Sequence, residues 1–382
     1  MLASMTGGNP VAAGPTLKLM KPAKDANKVI ILGAGASASD GAPLQGDLFR
    51  RYAEIIQREA NNLEHAASEG EIRTLFDLFW GADINAADLS KEHFPTFEEA
   101  LGLLELANTR GEFFKGFAGL QTEATRAQEL RAHLVNLIAL VLDRCLRHDA
   151  HTHNSLVENL RTAAWLNKTV FLSFNYDLLI DNALSRILGV DPDYAVAVRT
   201  PANPATAGTT LLKIHGSLNW LFCPTCNQLD IFPGEKIVAG ILTDPGRMTC
   251  DSCQEPRVPI VIPPTFFKVM SNFYLQQIWK KAEEVLREAD HLIFCGYSFP
   301  DADLHFKYLL KRAEINRPDF SPKRLEVFIV NEHTGKRADA REAERDRYLR
   351  FFRNKGLVHW TKLSFADFAA NPERYSDPSC WG

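Results

Sequence analysis

Four of the seven cysteines have the spacing of a metal site. Cys223 and Cys226 form one Cys-x-x-Cys pair, Cys250 and Cys253 form a second, and 23 residues separate the two pairs. Two such pairs supply four thiolates, which bind one Zn²⁺ tetrahedrally and leave no open position for a substrate. We therefore expect a structural Zn²⁺ site. Redox chemistry is the less favoured alternative, because redox Cys-x-x-Cys motifs usually occur singly.

Glycine and polar residues stand where several short apolar segments end. They are Gly33, Ala34, Gly35, Ser37, Asn175, Asp177, His215, Gly296, Ser298 and Asn331. Each preceding segment is too short for a helix and rich in Val, Ile, Leu or Phe, which is typical of strands buried on both faces of a parallel sheet. Because ligands bind beyond the carboxyl ends of such strands, these residues form the candidate site.

Each of these candidates also has an ordinary structural explanation. Gly33-x-Gly35 at a helix start is typical of phosphate binding, but a glycine turn can serve packing alone. Asn175 and Asp177 suit a binding site or a helix cap. His215 is placed to act as a base, although a single histidine at a strand end is more often a core residue. Lys213, two residues earlier, is a weaker candidate.

The apolar segments predict the fold. They cover residues 28–33, 169–174, 211–215, 258–262, 291–296 and 325–330. Helical patterns over residues 177–188 and 271–289 alternate with them. The sequence therefore predicts an α/β fold with a doubly wound, Rossmann-like parallel sheet. Hydride transfer is disfavoured, because the acid that usually follows the glycine motif by about 20 residues is replaced by a helical segment.

The interval between the first two strands is much longer than one crossover helix. Helical patterns cover residues 48–63, 71–80, 96–107, 123–147 and 155–166, and Thr96 with Glu99 forms a capping box. We expect an all-α insertion here. His148, His151 and His153 are interpreted as part of a polar loop between two helices.

The expected organisation divides the chain into five parts. They are a disordered leader (1–27), the sheet domain (28–44, 168–213 and 258–370), the helical insertion (45–167), a small zinc module (214–257) and an irregular tail (371–382).

Composition narrows the class of protein. The 382 residues include 43 Lys and Arg against 47 Asp and Glu, a formal net charge of −4, without a basic block. Direct nucleic-acid binding is therefore not expected. No apolar run approaches the roughly 20 residues that span a bilayer, and the scattered remaining cysteines do not suggest a disulfide framework. We expect a cytoplasmic protein without a membrane partner.

The ordered set of motifs resembles the sirtuins. GAGASASDGAP at residues 33–43 is similar to their phosphate loop, SFNYD at 173–177 to their Asn-x-Asp motif, and KIHGSLNW at 213–220 to their catalytic His-Gly. CGYSFPDAD at 295–303 and FPTFEEALGLLELA at 94–107 resemble a prokaryotic NAD-hydrolysing branch that includes many anti-phage defence proteins. Deacylating sirtuins carry Asp-Phe-Arg where residues 44–46 read Leu-Gln-Gly.

The resemblance implies a role for each candidate residue. Asn175 positions the nicotinamide ribose or the attacking water, His215 is the base, and Asp177 holds the carboxamide. The pyrophosphate is bound by Gly33, Ala34, Gly35 and Ser37. The adenosine half is bound by Gly296, Ser298 and Asn331. Asp303 either lies near the adenosine or caps a helix.

The implied function is hydrolysis of NAD⁺ to nicotinamide and ADP-ribose in anti-phage abortive infection. The alternatives are an NAD-dependent protein deacylase or ADP-ribosyltransferase, and a non-catalytic NAD or ADP-ribose sensor. Little chain remains for a sensor domain after residue 335. We therefore expect activation by self-association into a homo-oligomer or by a protein partner, such as an ATPase or a short Argonaute-type protein.

Overall fold

The computed structural model describes most of the chain after the leader. The described residues are 27–59, 66–112, 114–115, 123–146, 150–196, 208–232, 234, 248–262, 272–317, 325–332 and 337–382, with only the backbone given for 66–69 and 123–128. The predicted leader, apart from Asn27, lies outside them. In this part of the chain no helix has the length and apolar character needed to cross a bilayer.

The described strands form two sheets. In chain order they are β1 Lys28–Leu32, β2 Thr169–Ser173, β3 Leu211–Lys213, β4 Gly216–Cys223, β5 Gln228–Ile231, β6 Val258–Val261, β7 His291–Cys295, β8 Glu326–Val330 and β9 Val358–Trp360. Six of them form a sheet in the order β3-β2-β1-β7-β8-β9, and β5-β4-β6 form a second sheet. Every pairing in the larger sheet is parallel, which confirms the predicted fold class.

One predicted strand was assigned to the wrong sheet. Residues 258–262 were expected in the parallel sheet, but β6 pairs antiparallel with β4. β6 is an edge strand that contains Pro259. Proline has no N–H to donate and is confined to edges and strand ends, so Pro259 was a signal against a central strand. β4, β5 and β9 were not predicted.

The described residues form helices of widely different lengths. They are α1 Ala34–Ala38, α2 Leu48–Arg58, α3 Ala66–Trp80, α4 Phe97–Arg110, α5 Glu123–Cys145, α6 His151–Thr162, α7 Leu179–Leu188, α8 Phe273–Glu288, α9 Leu304–Ile315, α10 Ala338–Phe351 and α11 Phe365–Ala370. Short 3₁₀ turns lie at Leu89–Lys91, Leu166–Lys168, Lys355–Leu357, Pro372–Ser376 and Pro378–Cys380. The predicted capping box is present, because Thr96 accepts from the Glu99 N–H and Glu99 accepts from the Thr96 N–H.

The described residues between β1 and β2 contain only helices and turns, as expected of an all-α insertion. Helices α2 to α5 bury Phe49 and Phe97 in an apolar cluster that also includes Leu218 and Leu221 of β4. The sheet has a separate cluster. Helix α6 packs Leu156, Val157 and Leu160 into that second cluster.

The interpretation of the histidine group as a polar loop was wrong for two of its members. His151 and His153 lie in α6, and His153 is 1% exposed. Its Nδ1 lies 2.5 Å from Oδ2 of Asp40, which also accepts from the His153 N–H. A buried acid supplied by a distant segment thus stabilises this helix start. His148 lies outside the described residues.

Candidate functional site

The register of the parallel sheet brings the predicted site residues together. Leu32 pairs with Ser173 and with Cys295, and Cys295 pairs with Val330, so four strands end at the same level. A cavity of about 530 Å³ lies at this edge, a volume ordinary for a small-molecule site. All ten residues predicted there line it: Gly33, Ala34, Gly35, Ser37, Asn175, Asp177, His215, Gly296, Ser298 and Asn331.

The glycines allow two loops of the edge to touch. The Gly35 N–H donates to the Gly296 carbonyl at 2.9 Å. A Cβ on Gly33 would lie 2.6 Å from that carbonyl oxygen, and one on Gly296, at φ +62°, would lie 2.0 Å from the Ala36 nitrogen. Close packing therefore explains why glycine is needed here. The same loop lines the cavity, so the packing role and the predicted pyrophosphate role are compatible.

A chain of hydrogen bonds orients Asn175. Its Nδ2 donates to the Gly33 carbonyl at 2.8 Å and to Ser37 Oγ at 2.7 Å. Ser37 in turn donates to Asp177 Oδ2 at 2.7 Å, and Asp177 Oδ1 accepts from the Leu179 N–H at the start of α7. Among the described residues nothing donates to Asn175 Oδ1. The amide therefore presents an acceptor to the cavity, and Asp177 fixes its orientation through Ser37.

Lys213 helps to hold Asp177 in place. Its ammonium group is buried, donates to the Asp177 carbonyl and lies 3.0 Å from Asp181 Oδ2. Asp181 also accepts from the Tyr194 hydroxyl at 2.6 Å. Lys213 does not line the cavity, in agreement with its rank as a weaker candidate. Strand alternation does not explain this, because residues two apart share a face; β3 ends at Lys213, and His215 lies beyond it.

His215 lies in the two-residue connection between the two sheets. On one side the Ile214 N–H donates to Ser173 of β2, and on the other the Ile262 N–H donates to the His215 carbonyl at 2.8 Å. Gly216 follows at φ +84°, where a Cβ would lie 1.9 Å from the Ile260 carbonyl oxygen. The imidazole is 3% exposed and packs edge-to-face on Phe174. Both sheets therefore determine where His215 lies.

Of the two roles expected for Asp303, the structure excludes the helix cap. It is the residue before α9, but its side chain does not cap that helix. It is 1% exposed, and its Oδ1 lies 3.9 Å from Nε2 of His215. Its Oδ2 accepts from the Tyr297 hydroxyl at 2.7 Å. Burial, and then the Asp303 charge, raise the pKa of Tyr297, so the phenol remains a donor. A sequence carries no signal for this proximity.

Helix α10 closes another part of the cavity and was not predicted. Its residues Ala340, Ala343, Glu344 and Arg347 line the cavity. Asn331 donates to the buried carboxylate of Glu344 and, at 3.4 Å, to the Tyr297 carbonyl. Arg347 donates through Nε and Nη2 to the Ser298 carbonyl, at 3.1 and 2.9 Å. Ser298 and Asn331 thus join α10 to the sheet edge.

The four predicted cysteine ligands form one cluster outside the cavity. The Sγ atoms of Cys223, Cys226, Cys250 and Cys253 all lie within 4.8 Å of one another. Cys223 and Cys253 are 3.5 Å apart, and Cys226 and Cys250 are 4.0 Å apart. Four sulfurs about 2.3 Å from a tetrahedral Zn²⁺ would be about 3.8 Å apart. The cluster therefore fits Zn²⁺.

The thiols of the cluster shift one another's pKa values. Hydrogen bonds from the N–H groups of Cys253 and Ser252 lower the pKa of Cys250 to about 6. Beside it, hydrogen bonding with Cys253 and with the other thiols raises the pKa of Cys226 to about 12. A bound cation would favour the thiolate form of all four, because thiolates are its ligands.

Comparisons with known proteins identify the domain that holds most of this site. The family model of the SIR2-like domain matches residues 169–357, about half of the chain. A Sir2 homologue–NAD complex is 12% identical over 92% of this chain and 90% of that one, with a TM-score of 0.44. A mutant of a Sir2 homologue in complex with ADP ribose is 12% identical over 92% of both chains, with a TM-score of 0.42.

The other comparisons add little. Sir2Tm bound to a propionylated peptide is 11% identical over 90% of both chains, with a TM-score of 0.39, and no curated protein matches. The family match begins at β2 and extends past α10, so it includes Asn175, His215, the cysteine cluster and Glu344, while the glycine loop precedes it. Through its SIR2-like domain, this chain is a sirtuin-like protein.

Proposed function

We propose that the chain is an NAD⁺ glycohydrolase. The observation that carries this proposal is the arrangement of Asn175, His215 and Asp303, which all line one cavity, with the Asn175 amide oriented by hydrogen bonds and His215 Nε2 lying 3.9 Å from Asp303. An acceptor that orients a water or a ribose hydroxyl, next to a base, is the equipment that hydrolysis of an activated glycosidic bond needs.

The reaction breaks the bond between C1′ of the ribose and the nicotinamide nitrogen. The bonding electron pair leaves with nicotinamide, and the sugar becomes oxocarbenium-like. A water held by Asn175 Oδ1 attacks C1′, the new C–O bond forms, and His215 accepts the proton. The products are nicotinamide, ADP-ribose and a proton, and the histidine is neutral again after it releases that proton to solvent.

Asp303 makes the proton transfer easier. When His215 accepts a proton, the imidazolium forms 3.9 Å from a buried carboxylate, and opposite charges attract strongly where water is excluded. The Tyr297 hydrogen bond holds Asp303 in place. Asp303 therefore acts as a positioning and charge-stabilising residue for the base.

Apolar side chains of the helical insertion support hydrolysis over protein deacylation. Leu48, Phe97, Ile138 and Leu142 line the cavity together with Leu44 and Gln45 of the loop that differs from deacylating sirtuins. An apolar wall suits the nicotinamide ring and limits the water that reaches the sugar. The cysteine cluster, which would hold Zn²⁺, lies outside the cavity and contributes to folding only.

We infer further that assembly controls this activity. The resemblance to prokaryotic defence proteins supports an anti-phage role in which self-association or a protein partner activates NAD⁺ cleavage. A protein that depletes NAD⁺ without control would harm its own cell, so the basal activity should be low and should rise with protein concentration or with the partner.

One experiment tests the proposal. The purified chain is incubated with NAD⁺ over a range of protein concentrations, alone and with the product of its genomic neighbour, and the products are identified by mass spectrometry. The proposal predicts nicotinamide and ADP-ribose without an acceptor protein. Nicotinamide release only with an acylated or acceptor protein would instead indicate the deacylase or transferase, and saturable binding without any product would indicate the sensor.

A further inference from the structure

One face of α10 supplies a selectivity element at the cavity. Ala340, Ala343, Glu344 and Arg347 follow the i, i+3, i+4, i+7 spacing of a single helix face, and all four line the cavity. Building on the proposed function, we propose that Glu344 accepts hydrogen bonds from the adenosine ribose hydroxyls. It thereby makes the site selective for NAD⁺ over the 2′-phosphorylated dinucleotide.

Glu344 would take the role of an acid that usually stands at the end of a second strand. In dinucleotide-binding sheets an Asp or Glu about 20 residues after the glycine loop binds the ribose 2′-hydroxyl. Here that position falls in α2, where Glu54 pairs with Arg51 and does not line the cavity. Glu344 instead reaches the sheet edge from the C-terminal half of the chain. It is 1% exposed, and Asn331, which follows β8, donates to it. A buried carboxylate held in this way has a fixed direction.

The charges of the lining residues also favour NAD⁺ over the 2′-phosphorylated dinucleotide. Among its described lining residues, Asp177, Asp303 and Glu344 carry carboxylates, and Arg347 carries the only guanidinium or ammonium group. Arg347 already donates two hydrogen bonds to the Ser298 carbonyl. A 2′-phosphate would add about two negative charges at neutral pH. Like charges placed together without water are strongly disfavoured.

The test measures binding without cleavage. Isothermal titration compares ADP-ribose with its 2′-phosphate, neither of which contains the nicotinamide bond. The parent chain should prefer ADP-ribose by about 10- to 100-fold, the range expected when one ligand satisfies a buried charged group and the other opposes it. Glu344→Gln keeps the shape but removes the charge, and should reduce this ratio about 10-fold, mainly by tighter binding of the phosphorylated form.

Two further variants keep the test decisive. Glu342→Gln changes an exposed glutamate of the same helix that does not line the cavity, and should leave the ratio unchanged. Because Glu344 is buried, Glu344→Gln is also compared with the parent by thermal unfolding. Ala343→Lys places a cation at an exposed cavity-lining position without touching the buried network, and should tighten binding of the 2′-phosphate.

The outcomes separate this inference from the proposed function. Equal affinities of the parent for both ligands, or an unchanged ratio in both Glu344→Gln and Ala343→Lys, would overturn the role of Glu344 and leave NAD⁺ hydrolysis standing. A clear preference that collapses in Glu344→Gln, in a chain that does not cleave NAD⁺, would support the inference and refute the hydrolase. Binding of neither ligand would overturn both.

Discussion

The two sheets of this chain are built by different physical means. In the parallel sheet, β2 is buried along its whole length and β1, β7 and β8 are buried at every position after the first. In the small sheet the central strand β4 is buried at all but one position, while the outer strands are only partly buried, β5 at alternate positions and β6 at its last two. The small sheet carries one of the four cysteines at the end of β4 and the other three in its connections. Burial of apolar surface stabilises both sheets, because Trp220 and Ile231 join the apolar cluster of the parallel sheet, and metal ligation would add a further contribution to the second sheet alone.

This difference separates binding from chemistry within one cavity. The glycine loop, Asn175 and Asn331 follow strands of the parallel sheet, so their positions depend on its apolar core. The connection that carries His215 is held by hydrogen bonds to both sheets, through Ile214 on one side and through the His215 carbonyl on the other. Damage to the small sheet should therefore displace the base before it displaces the nucleotide-binding groups.

Loss of the base itself should have the largest effect. We expect His215→Ala to reduce NAD⁺ cleavage by about 10²- to 10⁴-fold, the usual contribution of a general base, and to change ADP-ribose binding little. Initial rates and isothermal titration check this. His151→Ala, which alters an exposed histidine of α6, is the matched control. Cleavage by His215→Ala at the parental rate would show that the site is wrongly assigned.

Removal of the metal should have the next largest effect. We expect one zinc per chain by metal analysis, and we expect a strong chelator or Cys250→Ser to lower the unfolding temperature, since structural Zn²⁺ in small modules contributes roughly 10 kcal/mol or more to folding. Cleavage should be lost at chelator concentrations that still allow ADP-ribose binding. Cys145→Ser, outside the cluster, serves as the control. Parallel loss of binding and cleavage would refute the separation.

The sequence was sufficient wherever a local pattern carries the information. Continuous apolar runs located five strands of the parallel sheet, and the residues after them all reached the cavity. The pattern failed where partners are chosen over distance: the apolar run of β6 resembles a parallel strand, and its partner depends on the neighbouring cysteine module. Helix α10 gave no signal for a different reason. Its cavity face is made of Ala, Glu and Arg, so it lacks the apolar stripe that marks a packed helix.

Asp303 provides the next smaller test. Removal of its charge makes protonation of His215 less favourable, so the acid limb of the pH–rate profile in Asp303→Asn should move to lower pH, together with about a 10-fold loss of the maximal rate. The other groups facing this region are Tyr176 and Tyr297, whose pKa values burial raises, and Glu98 and Arg131 of the insertion.

The matched control for Asp303 is Asp301→Asn in the same loop. Asp301 is 65% exposed and pairs with Lys307 at the surface. The Asp301→Asn variant should leave the pH–rate profile unchanged. An acid limb that stays in place in Asp303→Asn would show that Asp303 does not act through the base.

The smallest effect is expected from a change at Asp40. This residue lies on the parallel-sheet side of the molecule, where we expect the stability of the fold not to depend on metal. Burial alone would raise the pKa of Asp40, but hydrogen bonds from the His153 ring and from the Thr152 and His153 N–H groups outweigh it and hold the pKa below its ordinary 3.8. A lowered folded-state pKa stabilises the native state at pH values above the unfolded-state pKa, and this contribution is lost as the pH falls through the folded-state pKa.

Asp40→Asn should therefore reduce the free energy of unfolding by about 1–3 kcal/mol at pH 7. Its urea-unfolding curve should approach that of the parent as the pH falls below about 4. Because α6 makes its main contacts with α7 and α11 and the chelator acts at the cysteine cluster, this loss should be the same with and without chelator. A chelator-dependent loss would mean that the two regions do not fold independently.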